Sequence, residues 1–138
     1  MREPAPPAGQ RVLVIEDDPA TATLLEDLLS SEGYSVTVLD SALGAHTVVD
    51  RQRPAAVVLD QGLPYRRGSA LLEELKADPR TAGIPVLIVS AYTEALPRGA
   101  AALAAAVVTK PFDTDELLRL VAAVCRPSAD APAAAGLN

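Results

Sequence analysis

From Val12 to Val124, short unbroken aliphatic runs alternate with segments whose apolar residues recur at helical spacing. The runs Val12–Ile15, Ala56–Leu59, Val86–Val89 and Ala106–Val108 have strand length and no polar alternation, the pattern of strands covered on both faces. Tyr34–Leu39, which alternates at Val36 and Val38, is expected as a further strand. Between the runs the spacing predicts helices. Pro19–Leu29 carries Leu24, Leu25, Leu28 and Leu29, with Asp18 as N-cap, Pro19 in the first turn and Gly33 as terminator. Ala42–Arg51 stops before Pro54, and Gly68–Ala77 places Leu71, Leu72 and Leu75 on one face. Arg98–Ala104 is a weak helix, troubled by Pro97 and Gly99. Thr114–Val124 turns Leu117, Leu118, Val121 and Val124 inward.

Strict alternation of strand and helix requires right-handed crossovers. The expected architecture is an α/β fold: a doubly wound, five-stranded parallel sheet in flavodoxin-like order 2-1-3-4-5, with helices on both faces. Such a sheet binds its ligands at the carboxyl ends of its strands.

The chain of 138 residues has room for one domain. That domain is expected over residues 11–126. Pro4, Pro6, Pro7 and Gly9 mark residues 1–10 as a disordered arm, and the Ala, Pro and Ser of residues 127–138 read as a tail or linker. The net charge of −6 argues against a direct grip on nucleic acid or an anionic membrane surface. One cysteine, Cys125, excludes a disulfide framework and fits a reducing compartment. No transmembrane run occurs and the first residues lack a signal peptide's apolar core, so no membrane insertion and a cytoplasmic location are expected.

Polar residues abut the strands where the sheet rule places a site. Glu16, Asp17 and Asp18 follow strand 1, Asp60 follows strand 3, Ser90 strand 4 and Lys110 strand 5. Carboxylates crowded together without a cation repel one another and rise in pKa. A hard divalent cation such as Mg²⁺ resolves that crowding. A hydroxyl and an ammonium aimed at the same spot suit a phosphoryl group, with Asp60 as the nucleophile that forms an acyl phosphate.

The segments VLVIEDDP (Val12–Pro19), VVLDQGLP (Val57–Pro64) with Gly68 beyond, VLIVSA (Val86–Ala91) and TKPF (Thr109–Phe112) make the chain resemble the receiver domain of two-component response regulators. The similarity runs over essentially all of Arg11 to Arg126 and is of the single-domain, chemotaxis-regulator-like kind. By that resemblance Asp60 is the phosphoacceptor. Asp17 binds Mg²⁺ directly, Glu16 binds it through water, and the carbonyl of Gly62 adds a metal ligand beside Asp60. Ser90 is the switch hydroxyl and Lys110 pairs with the phosphoryl group, followed by Pro111 through a cis peptide. The implied partners are a histidine kinase or phosphotransfer protein and a downstream protein. The expected function is a switch that takes a phosphoryl group onto Asp60 with Mg²⁺ and changes its partner binding. It is not an enzyme that turns over a metabolite.

Some positions depart from the family pattern. Val107 stands where the switch aromatic is expected, the stretch from Ser90 to Lys110 is short, and Gln61 replaces a commonly apolar residue. Val107 and the short fourth helix support an alternative, a phosphorylation-independent adaptor with a vestigial switch, while the change at Gln61 carries little weight. A phosphohydrolase ranks last, because Gly62 occupies the place of a dedicated acid–base aspartate. Only about a dozen residues follow Arg126, which favours a single-domain regulator. Asp18 is expected to cap its helix rather than bind metal. His46 is expected as a surface or boundary histidine without a nearby partner, and Cys125 as a small buried hydrophobe. Arg66 and Arg67 are expected in a solvated loop. Lys110 is one of two lysines in a chain that otherwise uses arginine, which suggests a need for a compact ammonium.

Overall fold

The structure, a computed structural model, describes residues 10–91 and 95–125. Five strands, β1 (Arg11–Ile15), β2 (Ser35–Leu39), β3 (Ala56–Asp60), β4 (Val86–Ala91) and β5 (Ala106–Lys110), alternate with five helices. These are α1 (Pro19–Ser31), α2 (Ala45–Gln52), α3 (Gly68–Ala77), α4 (Arg98–Leu103) and α5 (Thr114–Cys125). Every strand pair is parallel and the sheet order is β2-β1-β3-β4-β5, the expected topology.

Successive side chains of a strand face opposite sides, so the aliphatic runs feed two cores at once. Leu13, Ile15, Val57, Leu59, Val86 and Ile88 meet Ala45 and Val49 of α2, Leu71, Leu72 and Leu75 of α3, and Ala100 of α4. Val12, Val14, Val58, Leu87 and Val89 meet Leu25 and Leu29 of α1 and Leu117, Val121 and Cys125 of α5. Of the leucines of α1, Leu24 stands 43% exposed, beside Lys110, Pro111 and Phe112.

The ends of the elements follow local chemistry. Asp18 caps α1, its Oδ2 accepting from the Thr21 N–H at 3.0 Å and the Thr21 hydroxyl at 2.6 Å. Asp113 caps α5 through the N–H groups of Asp115 and Glu116. Helix α2 begins at Ala45 rather than Ala42, because Gly44 takes a left-handed φ of 74° and holds Ser41–Gly44 in a turn. The strands β3, β4 and β5 run through Asp60, Ser90 and Lys110 rather than ending before them, since the ladder still pairs Asp60 with Val89 and Ser90 with Thr109. Gln10 donates to the Cys125 carbonyl at 3.0 Å. The rest of the expected arm and the whole expected tail lie outside the described residues. Among the described residues no helix is long and apolar enough to cross a membrane.

Candidate functional site

The carboxyl ends of β1, β3 and β5 bring the predicted residues together. Carboxylate oxygens of Glu16, Asp17 and Asp60 all lie within 4.8 Å of one another. The central strands hold two of these acids inside the fold: Glu16 is 2% exposed and Asp60 4%, while Asp17 faces solvent. Lys110 reaches in from β5, its Nζ 3.2 Å from Glu16 Oε1 and 3.3 Å from Asp60 Oδ1. The Asp60 contact is an ion pair out of hydrogen-bond alignment, so this buried oxygen accepts no hydrogen bond among the described residues.

The charges respond to this crowding. Loss of solvent pushes the Glu16 carboxyl up to about 6. The Asp18 backbone N–H, which Glu16 Oε2 accepts at 3.2 Å, opposes the rise, the Asp60 charge adds to it, and Lys110 opposes it. For Lys110, partial burial works against the ammonium, yet the carboxylates of Glu16 and Asp60 outweigh it and hold the amine above its usual value. One ammonium therefore shares too many carboxylates. It gains from both, while Glu16 stays dominated by its lost hydration.

A buried carboxylate oxygen without a hydrogen bond among the described residues, grouped with two further carboxylates, is a donor set that fits a hard cation such as Mg²⁺. Gly62 lies in the turn that leaves β3, two residues beyond Asp60. Ser90 is 6% exposed, and its hydroxyl donates to the Ala91 carbonyl at 3.3 Å, along its own chain. The Lys110–Pro111 peptide is cis, as the resemblance implies. Val107 is 44% exposed on the edge strand.

Gly68 owes its identity to the site. A Cβ there would lie 2.4 Å from the backbone oxygen of Asp60, so only glycine lets α3 start against the end of β3. Close to it is a residue whose importance the sequence did not reveal. Gln61 is fully buried, and its Oε1 accepts from the Ser69 N–H at 2.7 Å, satisfying a first-turn donor of α3 for which Arg67 offers no cap. A polar residue directly after an apolar strand, with Gly-Ser at the next helix start, was the available signal.

His46 corrects an expectation. It does have partners: Nδ1 lies 2.8 Å from Glu74 Oε2 and Nε2 lies 2.8 Å from Asp78 Oδ2. Both acids belong to α3 or its C-cap, and sequence spacing within α2 carries no information about them. Arg66 also turns to Glu74, at 2.5 Å, rather than toward the acidic cluster. A hollow of about 500 Å³ opens beside these residues, lined among others by Leu43, His46, Tyr65, Arg66 and Glu74. None of the acidic cluster lines it.

The comparisons with known proteins agree with this geometry. Residues 12–122 match the family model described as the response regulator receiver domain. The DNA-binding response regulator MtrA of Mycolicibacterium smegmatis is 36% identical over 126 residues, which cover 90% of this chain and 54% of that protein. The transcriptional regulatory protein KdpE of Staphylococcus aureus is 36% identical over 113 residues, 78% of this chain and 46% of that protein. The chain thus spans about half the length of these curated relatives. The receiver domain of the sensor histidine kinase PA1611 from Pseudomonas aeruginosa PAO1, solved with a magnesium ion coordinated in its active-site cleft, superposes with a TM-score of 0.78. It is 29% identical, and the match covers 87% of this chain and all of that one.

Proposed function

The chain belongs to the response regulator receiver domains of two-component signalling, and on that premise we propose that it takes a phosphoryl group onto Asp60 from a histidine kinase or phosphotransfer protein. Receiver domains are phosphorylation-controlled switches rather than enzymes acting on a metabolite. The observation that carries the reading is the buried Asp60 Oδ1, which accepts no hydrogen bond among the described residues, is faced by the ammonium of Lys110 at 3.3 Å and is grouped with the carboxylates of Glu16 and Asp17.

In the transfer, an Asp60 oxygen forms a bond to phosphorus as the phosphorus–nitrogen bond of the donor phosphohistidine breaks. The departing imidazole nitrogen keeps the electron pair and takes up a proton. Lys110 stays protonated throughout and offsets charge on the phosphoryl oxygens. Asp17 and Asp60, with the Gly62 carbonyl, would hold Mg²⁺ directly and Glu16 through water. Bound there, the ion neutralises charge shared between the acids and the incoming group. The magnesium ion in the cleft of the PA1611 receiver domain supports this assignment. Ser90, next to the site on β4, is the hydroxyl that turns from the Ala91 carbonyl to a phosphoryl oxygen. The product then alters binding of a downstream protein in the cytoplasm, and the net charge of −6 argues against direct contact with nucleic acid.

Labelling with acetyl phosphate in the presence and absence of Mg²⁺ tests the proposal: one phosphoryl group per chain is expected, with Mg²⁺ only. A second reading, a phosphorylation-independent adaptor, draws support from the exposed Val107 and the six-residue α4. Partner affinity unchanged by a phosphoryl mimic would favour it.

A further inference from the structure

Gln61 does more than fill space after the phosphoacceptor strand. Its backbone N–H donates to the Val89 carbonyl at 2.9 Å, and its carbonyl accepts from the Gly68 N–H at 3.1 Å. These bonds fix the residue to β4 and to the start of α3. The side chain then reaches in two directions. Toward α3, Oε1 accepts from the Ser69 N–H at 2.7 Å and Nε2 donates to the Ser69 hydroxyl at 3.1 Å. Toward the segment before α4, the same Nε2 donates to the Ala95 carbonyl at 3.2 Å. A buried amide with both its hydrogens committed has one arrangement that satisfies it, and that arrangement includes Ala95.

Ala95 lies between Ser90, whose hydroxyl points along its own chain, and α4, which ends beside Val86 through the Ala105 N–H. Backbone displacement of Ala95 relative to β3 removes the Nε2 bond, while displacement within α3 is not needed to do so. Helix α3 is anchored by its own packing of Leu71, Leu72 and Leu75 in the core. Among the described residues just before α4, 95–97, Leu96 is the partly buried apolar side chain packed on that core. Of the two ends of the amide, the Ala95 end is the one able to let go.

We propose that Gln61 is a positioning residue that latches the segment before α4 to the phosphoacceptor strand in the unphosphorylated form, and that it releases Ala95 when Asp60 is modified. The inference rests on the reading of Asp60 as phosphoacceptor and adds a route by which its state reaches α4. That route does not use the aromatic missing at Val107. A latch made in one state only must, when cut, favour the other state. One hydrogen bond of ordinary net strength corresponds to about a fivefold change in equilibrium.

The test uses the full chain as wild type, Gln61→Met and Ser69→Ala. Beryllofluoride with Mg²⁺ stands in for the phosphoryl group on Asp60. Gln61→Met is expected to speed amide exchange over residues 95–104 in the free protein and to bind beryllofluoride about fivefold more tightly. Ser69→Ala removes the contact to the α3 hydroxyl but not the Ala95 bond, so both readouts should stay at wild-type values. Should the methionine variant not fold, Gln61→Asn, whose amide is one methylene shorter, repeats the test. Wild-type exchange and affinity in the folded Gln61 variant overturn the latch, as does an equal response from Ser69→Ala, which would mark a purely structural role. A wild-type chain that binds no beryllofluoride overturns the phosphoacceptor reading instead, before any comparison of variants.

Discussion

Lys110 Nζ lies 3.3 Å from Asp60 Oδ1, and that oxygen, although buried, accepts no hydrogen bond among the described residues. The pair crosses from β5 to β3 over the end of β4, so it exists only once the parallel sheet has closed in its observed order. Folding therefore assembles a carboxylate that is shielded from water and faced by a cation.

Removing the ammonium exposes the strain it offsets. Lys110→Ala leaves the buried Glu16 and Asp60 without a compensating charge, and unfolding is expected to become easier by about 1–2 kcal/mol without Mg²⁺, a figure reduced because the Lys110 side chain is partly exposed. Added Mg²⁺ should shrink the difference. Thermal melts of both proteins with and without the metal check this, and an undiminished gap at saturating Mg²⁺ speaks against a shared site.

Metal binding should itself stabilise the fold. At free Mg²⁺ tenfold above its dissociation constant the gain is about 1.4 kcal/mol. Asp17→Ala is expected to lose most of this gain and Glu16→Ala less, since Glu16 acts through water. Chemical denaturation across a Mg²⁺ titration measures it. An equal gain in wild type and Asp17→Ala contradicts the arrangement.

The glycines in the first turns of α3 and α4 should respond oppositely to alanine. Gly68→Ala drives a Cβ to 2.4 Å from the Asp60 backbone oxygen and is expected to cost about 1–3 kcal/mol. At Gly99 an added Cβ meets nothing within 4 Å, and Gly99→Ala should stabilise α4 by about 0.5–1 kcal/mol. Denaturation midpoints decide both.

Alkali should weaken the fold in a definite window. Burial pushes the Cys125 thiol up to about 11 and the Tyr34 phenol up to about 12. The unfolded chain releases these protons from about pH 9 and pH 10, where the folded chain still holds them, so stability falls as pH rises from about 9 toward 12. Native Cys125 should also resist thiol reagents at neutral pH and react fully on unfolding. Reaction of the native protein at the rate of the unfolded one would show that the thiol is not enclosed.

Much of this was legible in the sequence because the signals were local. Aliphatic runs such as Val86–Val89 point to strands covered on both faces, although the like run Ala106–Val108 forms the edge strand with Val107 44% exposed. The positions of Glu16, Asp60 and Lys110 at strand ends follow once the strands do. What escaped was tertiary. The start of α2 depended on the left-handed Gly44, and His46 found Glu74 and Asp78 on a helix that spacing within α2 cannot register. Gln61 looked like a neutral exchange for an apolar residue, because its partners Ser69 and Ala95 come near only when β3, α3 and the segment before α4 are packed.

The central claim is that Asp60 is the phosphoacceptor, and Asp60→Asn tests it most directly. The substitution removes one of three crowded carboxylates, so the fold should be retained with stability unchanged or higher. Wild type and variant are incubated with acetyl phosphate and Mg²⁺, and the phosphoryl group on each is quantified and mapped by mass spectrometry. The account predicts stoichiometric, acyl-linked label on the Asp60 peptide of the wild type and only background on the variant. Equal labelling of a folded Asp60→Asn protein would contradict it.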